Sequence, residues 1–245
     1  MTDRHQEIDE AETRGPGEMS LVGHLEELRR RMIVSALAVL LTSGACYFYA
    51  SELVHLITAP AGRLYYLNPA EAFFTYLKVS FFAGLLLALP VIFYQLWAFI
   101  MPALTKDEYR IGAVLVPCSL LLFFVGLGFS YFLVLPAGIK FFMGFATEDL
   151  QPMFSIGQYV SFVVSFLLPF GLIFELPLII LVLAKFGMIT SNFLVVKRKL
   201  VIVLSFVVGA VISPTPDVFS QTMIAVPLLI LYELSILVVK YVLGK

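Results

Sequence analysis

The segment Gln95-Leu-Trp97-Ala-Phe99-Ile-Met-Pro102-Ala-Leu-Thr105-Lys-Asp-Glu108-Tyr-Arg110 closes one long apolar run and leads into another that begins at Ile111. Pro102 has no N–H to give and pushes the residue before it out of helical geometry, so it stops the first helix. Thr105 and Glu108 stand at the spacing of a capping box, which starts the next helix. Trp97, the only tryptophan in the chain, is expected at the level of the lipid headgroups, where an amphipathic ring prefers to lie. The turn therefore presents a carboxylate at the wet mouth of a membrane bundle.

Composition agrees with this reading. Of 245 residues, 60% are hydrophobic and 13% charged, and the mean hydropathy is +0.97. Runs of about 20 apolar residues are what a hydrocarbon core of about 30 Å requires, and this chain has several. A polytopic membrane protein follows. The net charge of -1 identifies no partner, and no nucleic acid is expected. Cys46 and Cys118 stand alone in different apolar runs and read as small buried side chains, not as redox or zinc chemistry. Residues 1–19 hold six acids against two arginines and lack an apolar core. They read as an acidic, disordered tail and not as a signal or transit sequence.

The rest, 20–245, is expected to form a single all-α membrane domain. Leu21, Leu25, Leu28 and Met32 recur at helical spacing with charges between them, which predicts a short interfacial segment feeding the first span. Spans are predicted at about 32–50, 79–101, 111–135, 159–184, 200–212 and 218–239. Residues 51–76, broken by Pro60, Gly62 and Asn68-Pro69, read as a structured external cap. Residues 136–158, with Pro136 and Pro152, form a second external segment. The fifth run has 13 residues, about 20 Å at 1.5 Å per residue, so the membrane must thin there or polar residues must dip inward. In the turn before the sixth span, Thr215 suits the N-cap, Pro216 the first helical position, and Asp217 the positive helix end. Prolines at 90, 169, 177 and 227 suggest bent helices and a concave bundle.

With six crossings, residues 1–31, 102–110, 185–199 and the C-terminus share one side and hold 13 of the basic residues. The other side holds three: Arg63, Lys78 and Lys140. The positive-inside bias places both termini in the cytoplasm.

Catalytic signatures are missing: the chain has no G-x-S-x-G, no H-E-x-x-H and no Walker A loop. His5, His24 and His55 fall in the tail or at interfaces. No enzyme, cofactor or metal site is expected. Polar groups inside the membrane are the next filter, because an uncompensated charge there costs at least about 2.5 kcal/mol. Glu175, in Phe174-Glu175-Leu-Pro177, is the only acid well inside a full-length span. It reads equally as a carboxyl satisfying backbone that Pro177 frees, or as a proton-sensitive site or anchor for a partner helix. Glu233 reads as interfacial, and Gln95, Gln221 and Thr222 as polar groups within spans. Glu27 has a plain role in pairing with Arg31 at i,i+4, and Glu108 in capping its own helix. Together, at two helix starts on one face, they form an acidic site for a cationic peptide, since a carboxylate takes a guanidinium bidentately.

The stretches Gly23-His-Leu-Glu-Glu27-Leu-Arg29-Arg-Arg, Pro90-Val-Ile-Phe-Tyr-Gln95-Leu-Trp-Ala-Phe-Ile-Met-Pro102, Phe174-Glu175-Leu-Pro177 and Pro216-Asp217-Val-Phe-Ser-Gln221-Thr resemble, in order, the TatC family. This is the multispanning subunit of the twin-arginine protein translocase. The resemblance covers nearly everything from Ser20 to Tyr241. It implies six helices in a glove-like concave bundle, with the fifth and sixth helices short, in the cytoplasmic (inner) membrane of a prokaryote. It also implies the function: recognition of twin-arginine signal peptides of folded proteins, and assembly with single-span TatA- and TatB-type partners in a multi-copy complex driven by the proton gradient. By the same resemblance, Glu27 and Glu108 contact the arginine pair, and Arg29 and Phe99 belong to that surface. Glu175 faces the concave side, Asp217 and Gln221 belong to partner contact, and Pro60 lies in the external cap. Ser213-Pro-Thr-Pro216 departs from the Thr-Pro-Pro form associated with that turn. The alternative, from another class, is a proton-coupled small-solute transporter using Glu175.

Overall fold

A computed structural model describes residues 21–61, 64–100, 109–149 and 153–244. The described residues are helical, apart from short connections and one parallel bridge between Tyr65 and Ser155. Helix α1 is Leu21–Tyr47 and α2 is Ala50–Thr58, followed by a 3-10 turn, Ala59–Ala61, that contains Pro60. Helix α3 is Pro69–Ile100, and α4 is Tyr109–Phe129. A π-turn, Ser130–Val134, carries α4 into α5, Leu135–Met143. Then come α6, Ile156–Phe174, and α7, Leu176–Lys185, followed by α8, Ser191–Ile212, and α9, Val218–Val242.

Among the described residues, four stretches are long and apolar enough to cross a membrane: Pro69–Ile100, Val114–Met143, Ile156–Lys185 and Val218–Tyr241. A fifth is added if α1 and α2, bent by 87° between them, count as one broken span. The expected crossing at 200–212 is not in this set. Its apolar stretch continues backwards through Lys197-Arg198-Lys199 into the same helix.

Several predicted boundaries are corrected, each for a local reason. The expected interfacial segment and first span are a single helix, because nothing between His24 and Ser43 breaks one. Helix α3 begins at Pro69, well before 79. Asn68 accepts a hydrogen bond from the Ala70 N–H at 3.3 Å, and Pro69 takes the first helical position, where a missing N–H costs nothing. For the same reason Pro136 does not end the third span: it sits in the first turn of α5. The fourth span is two segments that meet at Glu175. Helices α8 and α9 have 22 and 25 residues, so neither is a short helix. Only the apolar part of α8 is short. Thr190 extends that helix toward polar residues by accepting from the Phe193 N–H at 3.2 Å.

The centre is built from α3, α4 and α6, where Val79, Phe123, Val160 and Val163 are fully enclosed. A second cluster, with Phe166, Phe170 and Ile224, joins α6 to α9. A third, with Ile180, Leu194 and Tyr232, fastens α7, α8 and α9, and the Tyr232 hydroxyl donates to the Leu194 carbonyl at 2.8 Å. Helix α1 lies along α3. There the Thr42 hydroxyl donates to the Gly84 carbonyl at 2.7 Å.

Gly84 allows this approach, since a Cβ built on it would lie 2.4 Å from the Ser43 Cα. The conflict is with backbone, so the two helices would have to separate. Gly84→Ala is expected to lower stability by about 1–3 kcal/mol. Gly128→Ala, where a Cβ meets nothing within 4 Å, should hold or gain slightly through helix propensity. Thermal unfolding of the two variants in the same detergent checks this.

Candidate functional site

At the end of the bundle where α1 begins and α3 ends, four of the singled-out side chains come together. Arg31 donates from Nε and Nη2 to one oxygen of Glu27, Oε1, at 2.9 and 2.5 Å. The expected i,i+4 pair is therefore present. The same guanidinium reaches across to α3 and donates from Nη1 to Gln95 Oε1 at 3.1 Å. The other Glu27 oxygen, Oε2, is buried and has no hydrogen-bond partner among the described residues. One turn earlier, the His24 ring stacks on Phe99 with centroids 4.3 Å apart. Arg29 is exposed on α1. Glu108, like Pro102, Thr105 and the acidic tail, lies outside the described residues.

Gln95 thus belongs with Glu27 and not with the acid in the middle of the bundle. His24, dismissed as interfacial, forms part of this rim. Its position three residues before Glu27, on the same helical face, was the available signal. Trp97 is turned inward: it is 4% exposed, and its indole N–H donates to the Ser119 hydroxyl at 2.9 Å.

Glu175 is buried where α6 and α7 meet. It lines a cavity of about 800 Å³ with Trp97, Ser119 and otherwise apolar side chains. Its Oε1 is buried without a hydrogen-bond partner among the described residues, and Ser119 lines the same cavity. The Ile179 N–H bonds to the Glu175 carbonyl, so the broken helix resumes at once. The cavity is an apolar slot with one acid in its wall.

Asp217, not Thr215, is the N-cap of α9, accepting from the Ser220 N–H at 2.8 Å. Pro216 stands before the cap, and the Thr215 hydroxyl donates to Ser220 Oγ at 2.9 Å. Next to this cap Phe219 lies flat on Phe141, centroids 4.0 Å apart. Gln221 is half-buried, and its carbonyl faces Gly209 of α8, where a Cβ would come within 2.7 Å. Glu233 is paired with Arg198 of α8 at 2.6 Å. No group of three His, Cys, Asp or Glu residues suited to a metal occurs among the described residues.

The opposite end holds a carboxylate to which the sequence assigned no role. Glu71 accepts from the Leu67 N–H at 2.7 Å, from the Gly157 N–H at 2.8 Å, and from the Ser155 hydroxyl. It therefore caps α6 in trans while standing in the first turn of α3. The signal was Asn68-x-x-Glu71, an N-cap followed three residues later by an acid. Nearby, Lys78 donates to the Ser161 hydroxyl at 2.6 Å.

These features define the class: a multi-pass helical membrane protein with an aromatic and carboxylate rim at one end and an acid-bearing apolar slot inside. The family model for TatC, the Sec-independent protein translocase protein, matches residues 23–227. The Sec-independent protein translocase protein TatC of Aquifex aeolicus is 42% identical over 89% of this chain and 93% of its own length. That of Carboxydothermus hydrogenoformans is 38% identical over 93% and 95%. A crystal structure described as the twin arginine translocase receptor TatC superposes with a TM-score of 0.80 at 42% identity, covering 89% of this chain and 98% of the other. The chain belongs to the TatC family.

Burial opposes ionisation of Asp217, but hydrogen bonding at the helix cap, which includes the Ser220 N–H, outweighs it and holds its carboxyl below the usual value. A depressed carboxylate contributes stability that is present above its unfolded value and lost as pH falls through the folded one. Asp217→Ala should cost about 1 kcal/mol near neutrality, and the gap to the parent should close in acid. Asp217→Asn, which keeps the cap, should stay near the parent at neutral pH. Unfolding midpoints across the acid range test this.

Proposed function

We propose that this chain is the receptor and core subunit of a twin-arginine protein translocase. It recognises twin-arginine signal peptides of folded proteins at the cytoplasmic face and assembles with TatA- and TatB-type single-span partners in several copies. It has no catalysis of its own, and export draws on the proton gradient. The observation that carries this reading is the rim where Glu27 and Phe99 come together from α1 and α3, with one Glu27 oxygen lacking a hydrogen-bond partner among the described residues. A guanidinium is the group best matched to such a carboxylate.

Membership of the TatC family supports the receptor role, and charge supports the orientation. Arg29, Arg30 and Arg31, Lys185 at the end of α7, the 197–199 cluster of α8 and Lys240 near the end of α9 all fall at the Glu27 end. We place that end and both termini in the cytoplasm, and the protein in the inner membrane. Helix α8 is the remaining crossing in this reading. Its 13 apolar residues at 200–212 span about 20 Å against about 30 Å of hydrocarbon, so the bilayer thins beside it.

The slot beside Glu175 suits an apolar partner helix carrying one polar group, which would satisfy the unpartnered oxygen. Asp217 and Gln221 flank the α8–α9 corner on which such a partner also rests. Pro60 belongs to the outer cap formed by α2 and its neighbours. A proton-coupled solute transporter would use the same acid. However, Glu175 is the only charged residue among the described residues that line the slot, and no second coupling group is found among them.

Glu27→Lys and Glu108→Lys should each strongly reduce site-specific crosslinking of an Arg-Arg signal peptide in native membranes while insertion is retained. Undiminished crosslinking in both would remove the receptor reading. Glu175→Ala should spare that crosslink and weaken co-purification of the single-span partners. Full partner assembly and export would restrict Glu175 to a packing role.

A further inference from the structure

The receptor carboxylate at the rim is already occupied. Arg31 places Nε and Nη2 on Glu27 Oε1, and Nη1 on Gln95 of the neighbouring helix. Both members of the pair are mostly covered, with side chains 22% and 20% exposed. Oε2, the oxygen that Arg31 does not use, is out of reach of solvent. A second guanidinium cannot dock on Glu27 in this arrangement. Either Arg31 leaves, or the carboxyl swings away from it.

We propose that Arg31 is an internal stand-in for the peptide's arginine, and that its release from Glu27 sets the affinity threshold of the receptor. The inference rests on the receptor reading above and adds a residue to it. An i,i+4 ion pair on an open helix contributes little and exchanges readily. Here the hydrogen bond to Gln95 ties the same guanidinium to α3, so the closed pair is held at two points. The incoming group must match that geometry. A guanidinium does so with two parallel N–H donors, whereas an ammonium offers a single point of charge.

The consequence is specific. Closure by an internal group lowers the apparent affinity of every ligand by the same factor, the reciprocal of the open fraction. It does not by itself change the ratio between two ligands. A closed population of about 90% weakens all peptides about tenfold. A twin-arginine peptide still binds, while a twin-lysine peptide falls below a useful affinity. Choice between the two then resides in Glu27 and its fork geometry, and the threshold resides in Arg31 and Gln95.

The test uses the full chain with its partner subunits in lipid nanodiscs. The probes are fluorescent signal peptides that differ only in Arg-Arg or Lys-Lys at the pair. Arg31→Gln should tighten both peptides by a similar factor, on the order of tenfold, and leave their ratio unchanged. Gln95→Leu removes only the second tether and should tighten both by a smaller common factor. This second variant keeps the idea testable should Arg31→Gln assemble poorly.

Weaker or unchanged binding of both peptides in Arg31→Gln or Gln95→Leu overturns the proposal and leaves Arg31 as a support for the rim. A gain confined to the lysine peptide also overturns it, because Arg31 would then act on the bound state. Glu27→Gln is the control on the underlying reading. If it fails to weaken the arginine peptide, the receptor surface lies elsewhere and both readings fall, whereas loss of binding in Glu27→Gln with no gain in Arg31→Gln sinks this inference alone.

Discussion

The contact between α1 and α3 governs most of what this molecule can do. Gly84 lets the two backbones approach, and the Thr42 hydroxyl closes the gap on the Gly84 carbonyl. Two helices held this tightly cannot slide independently, since a shift of one residue would set the Ser43 side of α1 against a residue with a side chain. Near the other end of the same contact lie the Arg31–Gln95 bond and the His24–Phe99 stack. Packing in the apolar middle thus determines which polar groups meet at the rim. The carboxylate of Glu27 needs no strong interactions of its own to be positioned.

The interior follows a similar logic one layer deeper. Trp97 is buried, and its indole N–H would be costly to leave unpaired. Ser119 answers it, on the wall of the cavity that Glu175 also lines. That bond ties α3 to α4 beside the junction of α6 and α7. Pro177 weakens the helix there, and the chain breaks into two segments around the acid. The break sets it in the wall of a slot, with an oxygen left over.

Much of this was legible in the sequence. Apolar runs point to the four stretches long enough to cross a membrane, and the spacing of Glu27 and Arg31 to their pair. What was misread has common causes. Prolines 69 and 136 read as breaks in a linear sequence, although each stands at a helix start, where its missing N–H is harmless. Trp97 was assigned to the headgroups by residue type, but which face of a nearly uniform apolar helix turns inward is decided by the partner helix. The amphipathic pattern of α3 is too weak to reveal it. Gln95 was grouped with mid-span polar residues because a linear reading cannot tell that Arg31, 64 positions away, lies opposite. The cap at Asp217 was displaced by two residues because Thr215, Pro216 and Asp217 each suit a helix start. Only geometry selects among them.

Three carboxylates show where the molecule is finished and where it is not. Glu71 accepts from two backbone N–H groups and a hydroxyl, so its capacity is spent on holding α3 and α6 together. Glu27 gives one oxygen to Arg31 and keeps the other without a partner, and Glu175 likewise keeps one unpartnered. Leaving a buried acceptor unsatisfied costs about 1–3 kcal/mol. The chain has hydroxyls and amides enough to satisfy a carboxylate fully, as it does at Glu71. Three such deficits, at the rim, in the slot and at Asp217 Oδ2 beside the α8–α9 corner, mark places where the fold leaves a carboxylate incomplete. A donor that reaches one of these oxygens, which at Glu27 first requires Arg31 or the carboxyl to move, gains the hydrogen bond and removes the penalty together.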